Sequence, residues 1–196
     1  VQSGKTLSFT TVSALASQNG FNAIIIIAGS TTKLVDQTTK RLKNDLDIYS
    51  RSEISWNLFK NPKKNQIDEI SGTMEEGLFK EKPVLLITVM KNISHLKNLN
   101  ALFDSTRVKS LNLKVLIIDD EADQASLNTK SSKKNEDEAS ATYDLLKKIR
   151  NNITNHTYLQ YTATPQGPLL ISILDILSPD FVKILTPGLR YTGGSY

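Results

Sequence analysis

Three predominantly apolar runs constrain the fold of this chain more than any other feature of its sequence. They occupy residues 21–28, 84–89 and 113–118 and are rich in isoleucine, valine and leucine. A strand that is apolar throughout has to be covered on both faces, as happens in a parallel sheet packed between helices. Segments with apolar residues at helical spacing separate the runs. The sequence therefore predicts a three-layer α/β fold with a mostly parallel sheet of about five or more strands.

The remaining secondary structure follows from shorter patterns. Helices are predicted around residues 7–19, 34–46, 93–103, 143–149 and 169–177, with a further strand at 157–162. Residues 47–83 lack a clear period and are predicted to be an irregular excursion with one short strand or helix. Residues 127–140 are predicted to form a mobile surface loop, because a polar, low-complexity tract buries nothing. Residues 180–196 are interpreted as a tail that leads to a following domain.

The composition narrows the class of protein. With 196 residues, 39% of them hydrophobic and 22% charged, the chain fits one folded domain. The absence of cysteine excludes disulfides and thiolate metal sites, and two histidines exclude a histidine-rich zinc cluster. No apolar run is long enough to span a bilayer, and no secretory signal is recognisable. We therefore expect a cytoplasmic protein without membrane association, whose net charge of +4 favours a polyanionic partner.

The first candidate site is the sequence Gly4-Lys5-Thr6, which precedes a predicted helix. It matches the end of the phosphate-binding loop, where backbone N–H groups and a helix N-terminus hold phosphates. Lys5 would neutralise the β and γ phosphates, Thr6 would bind magnesium, and Gln2 and Ser3 would belong to the loop. The first glycine of the pattern would lie upstream of Val1, so we expect the motif to begin before this sequence. Taken alone, the tripeptide is also compatible with an ordinary helical N-terminus.

The second candidate site is acidic and follows the third apolar run. An open α/β sheet binds ligands at the carboxyl ends of its strands, and Asp120 and Glu121 are delivered there. Asp120 would hold magnesium, while Glu121 would polarise the water that attacks the γ phosphate. Asp119 is the alternative metal-side carboxylate. The non-catalytic alternative is that these acidic residues form a solvated turn that caps the next helix.

The third candidate is the sequence Tyr161-Thr162-Ala163-Thr164-Pro165, placed directly after the last predicted strand. Small hydroxyl side chains at this position can hydrogen-bond an acidic motif and report the nucleotide state to a neighbouring lobe. A strand end followed by a turn explains the same residues when they stand alone. The order and spacing of the three candidates together favour the functional interpretation.

In this order, Gly-Lys-Thr, Asp-Glu-Ala-Asp and Thr-Ala-Thr-Pro resemble motifs I, II and III of superfamily-two helicases and translocases. The chain is also similar to the bacterial Z-one domain family, ATPases associated with endonucleases and often linked to restriction and phage defence. That similarity lies in residues 1–6, 118–126, 161–165 and 191–194. The resemblance implies one RecA-like P-loop NTPase lobe over residues 1–196, truncated within motif I, with ATP and Mg²⁺ as cofactors.

The resemblance also implies roles for individual residues and for partners. Lys5, Asp120 and Glu121 would be catalytic, and Asp123, Thr162 and Thr164 would couple the nucleotide to movement. The implied partners are DNA, a second RecA-like lobe with an arginine finger, and a nuclease domain in the parent protein. No Asp/Glu-x-Lys triplet occurs in the chain, so a restriction-type nuclease centre would have to lie elsewhere. A nucleotide-binding scaffold without turnover and a non-helicase phosphotransferase are the alternatives.

Two groups of residues near strand ends are candidates for nucleic acid contact. They are Gln37, Thr38 and Arg41 after the first apolar run, and Thr88 and Lys91 at the end of the second. An ordinary basic helix face is the alternative for the first group. For the second group, a helix cap formed by Asn92 is the alternative.

Overall fold

Five strands form one parallel sheet in the computed structural model of this chain. The structure describes residues 4–49, 54–77, 83–122, 133–164 and 175–185. The strands are β1 (Ala23–Ala28), β2 (Ser55–Lys60), β3 (Pro83–Met90), β4 (Val115–Asp120) and β5 (His156–Tyr161). They lie in the order β2-β3-β1-β4-β5, and every neighbouring pair is parallel. All the carboxyl ends therefore meet at one edge of the sheet.

Helices cover both faces of this sheet. The first face carries α1 (Lys5–Gln18) and α2 (Thr32–Asp45). The second face carries α3 (Ile67–Gly77), α4 (Ile93–Asp104), α5 (Thr106–Ser110) and α6 (Lys133–Asn152). Alternate residues of each strand enter the two apolar clusters, as the two-residue period of a strand requires. The predicted three-layer α/β arrangement, expected of a RecA-like domain, is confirmed.

The buried central strands are those that the apolar runs predicted. All six residues of β1 are fully buried, and β3 and β4 are buried except at their last residue. Two helices that follow these strands begin with side-chain caps. Thr31 accepts a hydrogen bond from the amide of Leu34 at the start of α2, and Asn92 accepts one from His95 at the start of α4. These caps fix the residue at which each of the two helices begins.

The prediction for residues 127–140 is wrong in its second half. Residues 133–140 form the beginning of α6, a helix of 20 residues. Lysine, glutamate and alanine are good helix formers, and acidic residues near a helix N-terminus interact favourably with its dipole. A polar, low-complexity tract can therefore form the first half of a helix whose second half packs on the sheet through Leu145, Leu146 and Ile149. Residues 127–132 lie outside the described residues.

The interpretation of residues 47–83 as an irregular excursion with one short strand or helix is wrong in part. This stretch contains β2, the short 3-10 helix Lys64–Gln66 and α3, which together add a strand and a helix to the fold. β2 is the last strand on its side of the sheet, and most of its residues are only half-buried. An edge strand needs no continuous apolar run, so its sequence lacks the signal that identified the central strands.

The end of the described chain differs in part from the prediction of a helix at 169–177. Asp175 accepts a backbone hydrogen bond from the amide of Ser178 in a turn, and residues 181–185 have no regular secondary structure. Residues 165–174 and 186–196 lie outside the described residues. Of the helices in the described part of the chain, none is long and apolar enough to cross a membrane.

Candidate functional site

A cavity of about 480 Å³ lies at the edge of the sheet where the strands end. The start of α1 supplies Lys5 and Thr6, and the ends of β1 and β4 supply Gly29, Asp120 and Glu121. The third wall is α2, which contributes Leu34, Gln37, Thr38, Lys40, Arg41 and Asn44. The residues predicted to bind phosphate and those predicted to bind metal therefore line one cavity, as the motif order indicated.

Lys5 and Asp120 form an ion pair across this cavity. The Lys5 ammonium lies 3.4 Å from Asp120 Oδ1, and the two side chains are 22% and 16% exposed. Lys5 is the first residue of α1, and its N-cap is Gly4, which has no side chain to satisfy the first-turn amides. Those amides and the Lys5 ammonium provide positive charge next to a carboxylate. This combination is suited to an anion that arrives with a cation.

Strand alternation separates the two neighbouring aspartates at the end of β4. Asp119 belongs to the face covered by α4 and α6 and is 1% exposed. Its Oδ1 lies 2.5 Å from the Lys91 ammonium, and its Oδ2 accepts a hydrogen bond from the Tyr158 hydroxyl at 2.8 Å. Asp120 belongs to the other face and lines the cavity. Of the two carboxylates considered for the metal, Asp120 has the position that this role requires.

Glu121 is held in a backbone conformation that few residues adopt. Its φ is +56°, in the left-handed region, and it directly follows β4. The Lys91 ammonium donates hydrogen bonds to the carbonyl oxygens of Asp120 and Glu121 at 3.0 and 2.9 Å. A Cβ atom on Gly29 would lie 3.1 Å from Glu121 Oε2. The Glu121 carboxylate therefore packs against the end of β1, at a position where the neighbouring strand has no side chain.

The first turn of α1 is fixed against the end of β5. The Ser8 hydroxyl lies 3.1 Å from the Tyr161 hydroxyl, and the Phe9 and Tyr161 rings meet edge to face with centroids 5.8 Å apart. These contacts place the helix start, and with it Lys5, over the carboxyl end of β4. Tyr161 stood within a predicted motif, but no sequence signal indicated this positioning role.

The Tyr158 hydroxyl remains protonated and able to donate to Asp119. Burial raises the pKa of Tyr158 well above its usual range, and the Asp119 carboxylate raises it further. The Arg150 guanidinium lies over the Tyr158 ring, 4.6 Å from its centroid. Asp119 thus has an ion pair with Lys91, at the end of β3, on Oδ1 and a hydrogen bond from Tyr158, on β5, at Oδ2. No hydrogen bond to Oδ1 itself is formed by the described residues. Sequence analysis missed Tyr158, because its partner is set by the pairing of β4 with β5.

The residues predicted to contact nucleic acid divide into two groups. Gln37, Thr38 and Arg41 lie on α2 in the wall of the cavity, and Gln37 and Arg41 are exposed. Thr88 is fully buried, and its hydroxyl lies 2.7 Å from that of Thr39. Lys91 is 6% exposed. Neither member of the second group is at the surface, where contact with nucleic acid would require it, and the alternative cap by Asn92 is confirmed.

The residues assigned to coupling are only partly described. Thr162 and Thr164 follow β5, the neighbour of β4, so they lie at the same sheet edge as the acidic residues. Thr162 accepts a hydrogen bond from the amide of Thr164 at 2.9 Å, which closes a tight turn. Asp123, Gln2 and Ser3 lie outside the described residues, and their predicted roles stay predictions.

Three comparisons with known proteins, against family models, curated proteins and solved structures, returned no match. The cavity is therefore interpreted from its own residues and their geometry. Its chemical character is mixed, with cations from α1 and α2 facing two carboxylates at the end of β4.

The donor set of this cavity fits magnesium that is bound together with phosphate. Among the described residues, no group of three or more His, Cys, Asp or Glu side chains is arranged to hold a metal alone. Mg²⁺ in nucleotide sites uses one or two carboxylates and completes its shell with water and phosphate oxygens. Asp120 and the Thr6 hydroxyl, both in the cavity wall, meet that requirement.

Proposed function

We propose that this chain binds Mg²⁺-ATP in the cavity and hydrolyses it, as the ATPase lobe of a DNA helicase or translocase-type protein. The observation that carries the proposal is the Lys5–Asp120 contact of 3.4 Å, with Thr6 and Glu121 in the same cavity. The two sequence motifs that predicted phosphate and metal binding lie far apart in the chain. A shared cavity at the carboxyl ends of parallel strands is where an α/β sheet binds such a ligand.

Each residue of the cavity has a distinct part in the proposed reaction. The Lys5 ammonium and the first-turn amides of α1 would bind the β and γ phosphates. Asp120 and the Thr6 hydroxyl would hold the metal. Magnesium, when bound with the nucleotide, would neutralise charge that develops on the phosphates. Glu121 would orient the attacking water and accept a proton from it at the carboxylate.

The proposal extends to partners outside this chain. Thr162 and Thr164, at the neighbouring strand end, would transmit the nucleotide state to a second RecA-like lobe. That lobe would supply an arginine that stabilises the transition state, a contribution of roughly 10³ to 10⁵ in rate for such enzymes. DNA would be the substrate of movement or remodelling, and a nuclease domain in the parent protein would fit a role in restriction or phage defence.

ATP hydrolysis by the full-length protein, with and without duplex DNA, tests the proposal. We expect DNA-stimulated turnover that disappears in Glu121→Gln, because the water-activating carboxylate is lost while the phosphate contacts remain. Tight nucleotide binding without turnover in the wild type would instead favour a nucleotide-binding scaffold. Transfer of phosphate to a small-molecule acceptor, without a response to DNA, would favour a phosphotransferase.

A further inference from the structure

Lys91 places a buried ammonium group beneath the turn that carries the two cavity carboxylates. Its side chain is 3% exposed, and its Nζ lies 2.5 Å from Asp119 Oδ1. The same nitrogen donates to the carbonyl oxygens of Asp120 and Glu121 at 3.0 and 2.9 Å. Lys91 directly follows β3, which is not a neighbour of β4, because β1 lies between them. The side chain therefore crosses the end of β1 to reach the turn.

Lys91 makes two hydrogen bonds to main-chain carbonyls in addition to its ion pair with Asp119. A buried ammonium has to be paired and hydrogen-bonded, since its desolvation is costly. Among the described residues, the Asp119 carboxylate supplies the countercharge through Oδ1, and Tyr158 donates a hydrogen bond to the other oxygen of that carboxylate. The remaining two bonds of Lys91 go to consecutive main-chain carbonyls, and one of these residues has a φ of +56°. These bonds fix the direction in which the chain leaves β4.

We infer that Lys91 is a positioning residue for the proposed site. By holding the carbonyls of Asp120 and Glu121, it sets the main-chain path that aims both carboxylates into the cavity. Glu121 occupies a backbone region that is sparsely populated by residues with side chains, so the surroundings have to hold it there. The inference rests on the proposed function, because Asp120 and Glu121 are the residues proposed to bind the metal and to activate water for ATP hydrolysis.

A pair of variants separates positioning from fold stability. Asp119→Asn removes the buried negative charge, keeps an acceptor for Tyr158, and leaves Lys91 with both carbonyls. Adding Lys91→Met to that variant removes the remaining buried charge and both carbonyl bonds, while the aliphatic stem is kept. Lys109→Met is the matched surface control, because Lys109 forms an exposed ion pair with Asp104 at 2.7 Å.

The measurements on the full-length protein are the urea midpoint, and the affinity for a non-hydrolysable ATP analogue with and without Mg²⁺. We expect the double variant to unfold at the same urea concentration as Asp119→Asn or at a higher one, because it removes a buried ammonium group that has lost its countercharge. Its affinity for the Mg²⁺ complex should fall at least about tenfold, because hydrogen bonds to a charged group are among the stronger ones. Its affinity for the metal-free analogue should stay the same, since Lys5 is untouched. Lys109→Met should match the wild type in every measurement.

Equal Mg²⁺-dependent affinity in the double variant and in Asp119→Asn would overturn the inference and leave the proposed function intact. If the wild type binds no Mg²⁺-nucleotide, the proposed function fails. Amide hydrogen exchange over residues 115–122 then tests separately whether Lys91 fixes the turn after β4. Faster exchange in the double variant than in Asp119→Asn supports the claim that Lys91 fixes the turn. Equal exchange in the two variants overturns it. If the methionine variant does not fold, Lys91→Gln in the Asp119→Asn background tests the same claim with the same expected results.

Discussion

The Lys5 ammonium, at the start of α1, lies 3.4 Å from a carboxylate oxygen of Asp120, at the end of β4. The contact joins a predicted phosphate-binding residue to a predicted metal ligand. Three features position the two residues of this contact. Ser8 and Phe9 of α1 contact Tyr161, and the Asp120 side chain lines the cavity. Lys91 donates hydrogen bonds to the carbonyl oxygens of Asp120 and Glu121. The proposed site thus depends on groups from three strands.

Gly29→Ala should reduce turnover more than stability. A Cβ atom at this position would lie 2.7 Å from Leu34 Cδ1 and 3.1 Å from Glu121 Oε2. The half-exposed Leu34 side chain can move away, so the free energy of unfolding should fall by only about 1 kcal/mol. The Glu121 carboxylate has to shift, and kcat for ATP hydrolysis should fall about tenfold. Steady-state kinetics and urea unfolding measure the two effects.

Gly72→Ala is the control for that substitution. The nearest atom to a Cβ on Gly72 is Arg107 Nη2 at 3.8 Å, and the residue lies within α3. Alanine there should raise stability by about 0.5–1 kcal/mol, because glycine weakens a helix, and should leave turnover unchanged. Wild-type turnover in Gly29→Ala would show that Glu121 is not constrained by the end of β1.

Arg41→Gln should weaken the binding of Mg²⁺-nucleotide about tenfold. Arg41 is an exposed cation in the cavity wall opposite the acidic residues, and a charge-assisted hydrogen bond contributes roughly 1.5–3 kcal/mol. We take the lower end because solvent screens this side chain. Lys43→Gln is the control, since Lys43 is on the same helix but does not line the cavity. Equilibrium titrations with nucleotide and with DNA, run in parallel, show which affinity changes.

If Arg41→Gln lowers only the affinity for DNA, its earlier assignment to nucleic acid is correct and its assignment to the nucleotide is wrong. The salt dependence of DNA binding then gives a second check. Loss of one phosphate contact should reduce the slope of log affinity against log salt concentration by about one.

Tyr158→Phe should destabilise the fold without removing any group from the cavity wall. The variant loses the 2.8 Å hydrogen bond to Asp119 Oδ2 and leaves a buried carboxylate oxygen without that donor. A hydrogen bond to a charged group contributes roughly 1.5–3 kcal/mol, and we expect a loss of that size in the free energy of unfolding. Urea unfolding at neutral pH measures it. An unchanged midpoint would mean that Asp119 does not depend on Tyr158.

The stability of the fold should fall as the pH drops below about 6.5, the usual pKa of histidine. Burial lowers the pKa of His156, and the nearby Arg150 guanidinium lowers it further, although a hydrogen bond with the Ile153 carbonyl opposes both. The unfolded chain therefore takes up a proton first, so stability is present above this pH and lost below it. The loss from this half-buried group should be at most about 1 kcal/mol by pH 5.5.

His156→Asn identifies the part of the pH dependence that comes from this residue. Asparagine keeps a hydrogen-bond donor near the Ile153 carbonyl, which His156 Nδ1 contacts at 2.6 Å, but it does not titrate. Thermal unfolding of both proteins between pH 7.5 and 5.5 should show a smaller decrease for the variant. Parallel curves would assign the pH dependence to other groups.

The sequence predicted those parts of the fold that depend on local pattern. The apolar runs identified β1, β3 and β4, because a strand that is buried on both faces has a distinctive composition. They did not identify β2, whose edge position permits polar residues. The start of α6 was missed for a related reason, since a polar helical segment and a polar loop share their composition.

Sequence analysis predicted the residues of the candidate site that would contact phosphate, metal or water, but not the residues that position them. Lys5, Thr6, Asp120 and Glu121 belong to short motifs whose residue types indicate phosphate and metal chemistry, and the structure brings them together. The role of Lys91 depends on the strand order, because its side chain reaches past β1 to a strand that is not its neighbour. Contacts of this kind follow from the order of strands in the sheet, which a single sequence does not display.

Binding of Mg²⁺-ATP to the wild type, Lys5→Ala and Glu121→Gln is the most direct test of the proposed site. Isothermal titration in the presence and absence of Mg²⁺ measures affinity, and phosphate release measures turnover in the same samples. Lys5→Ala should abolish binding, whereas Glu121→Gln should bind as the wild type does and lose hydrolysis. Equal loss of binding in both variants, or binding that survives in Lys5→Ala, would contradict the roles assigned to these residues.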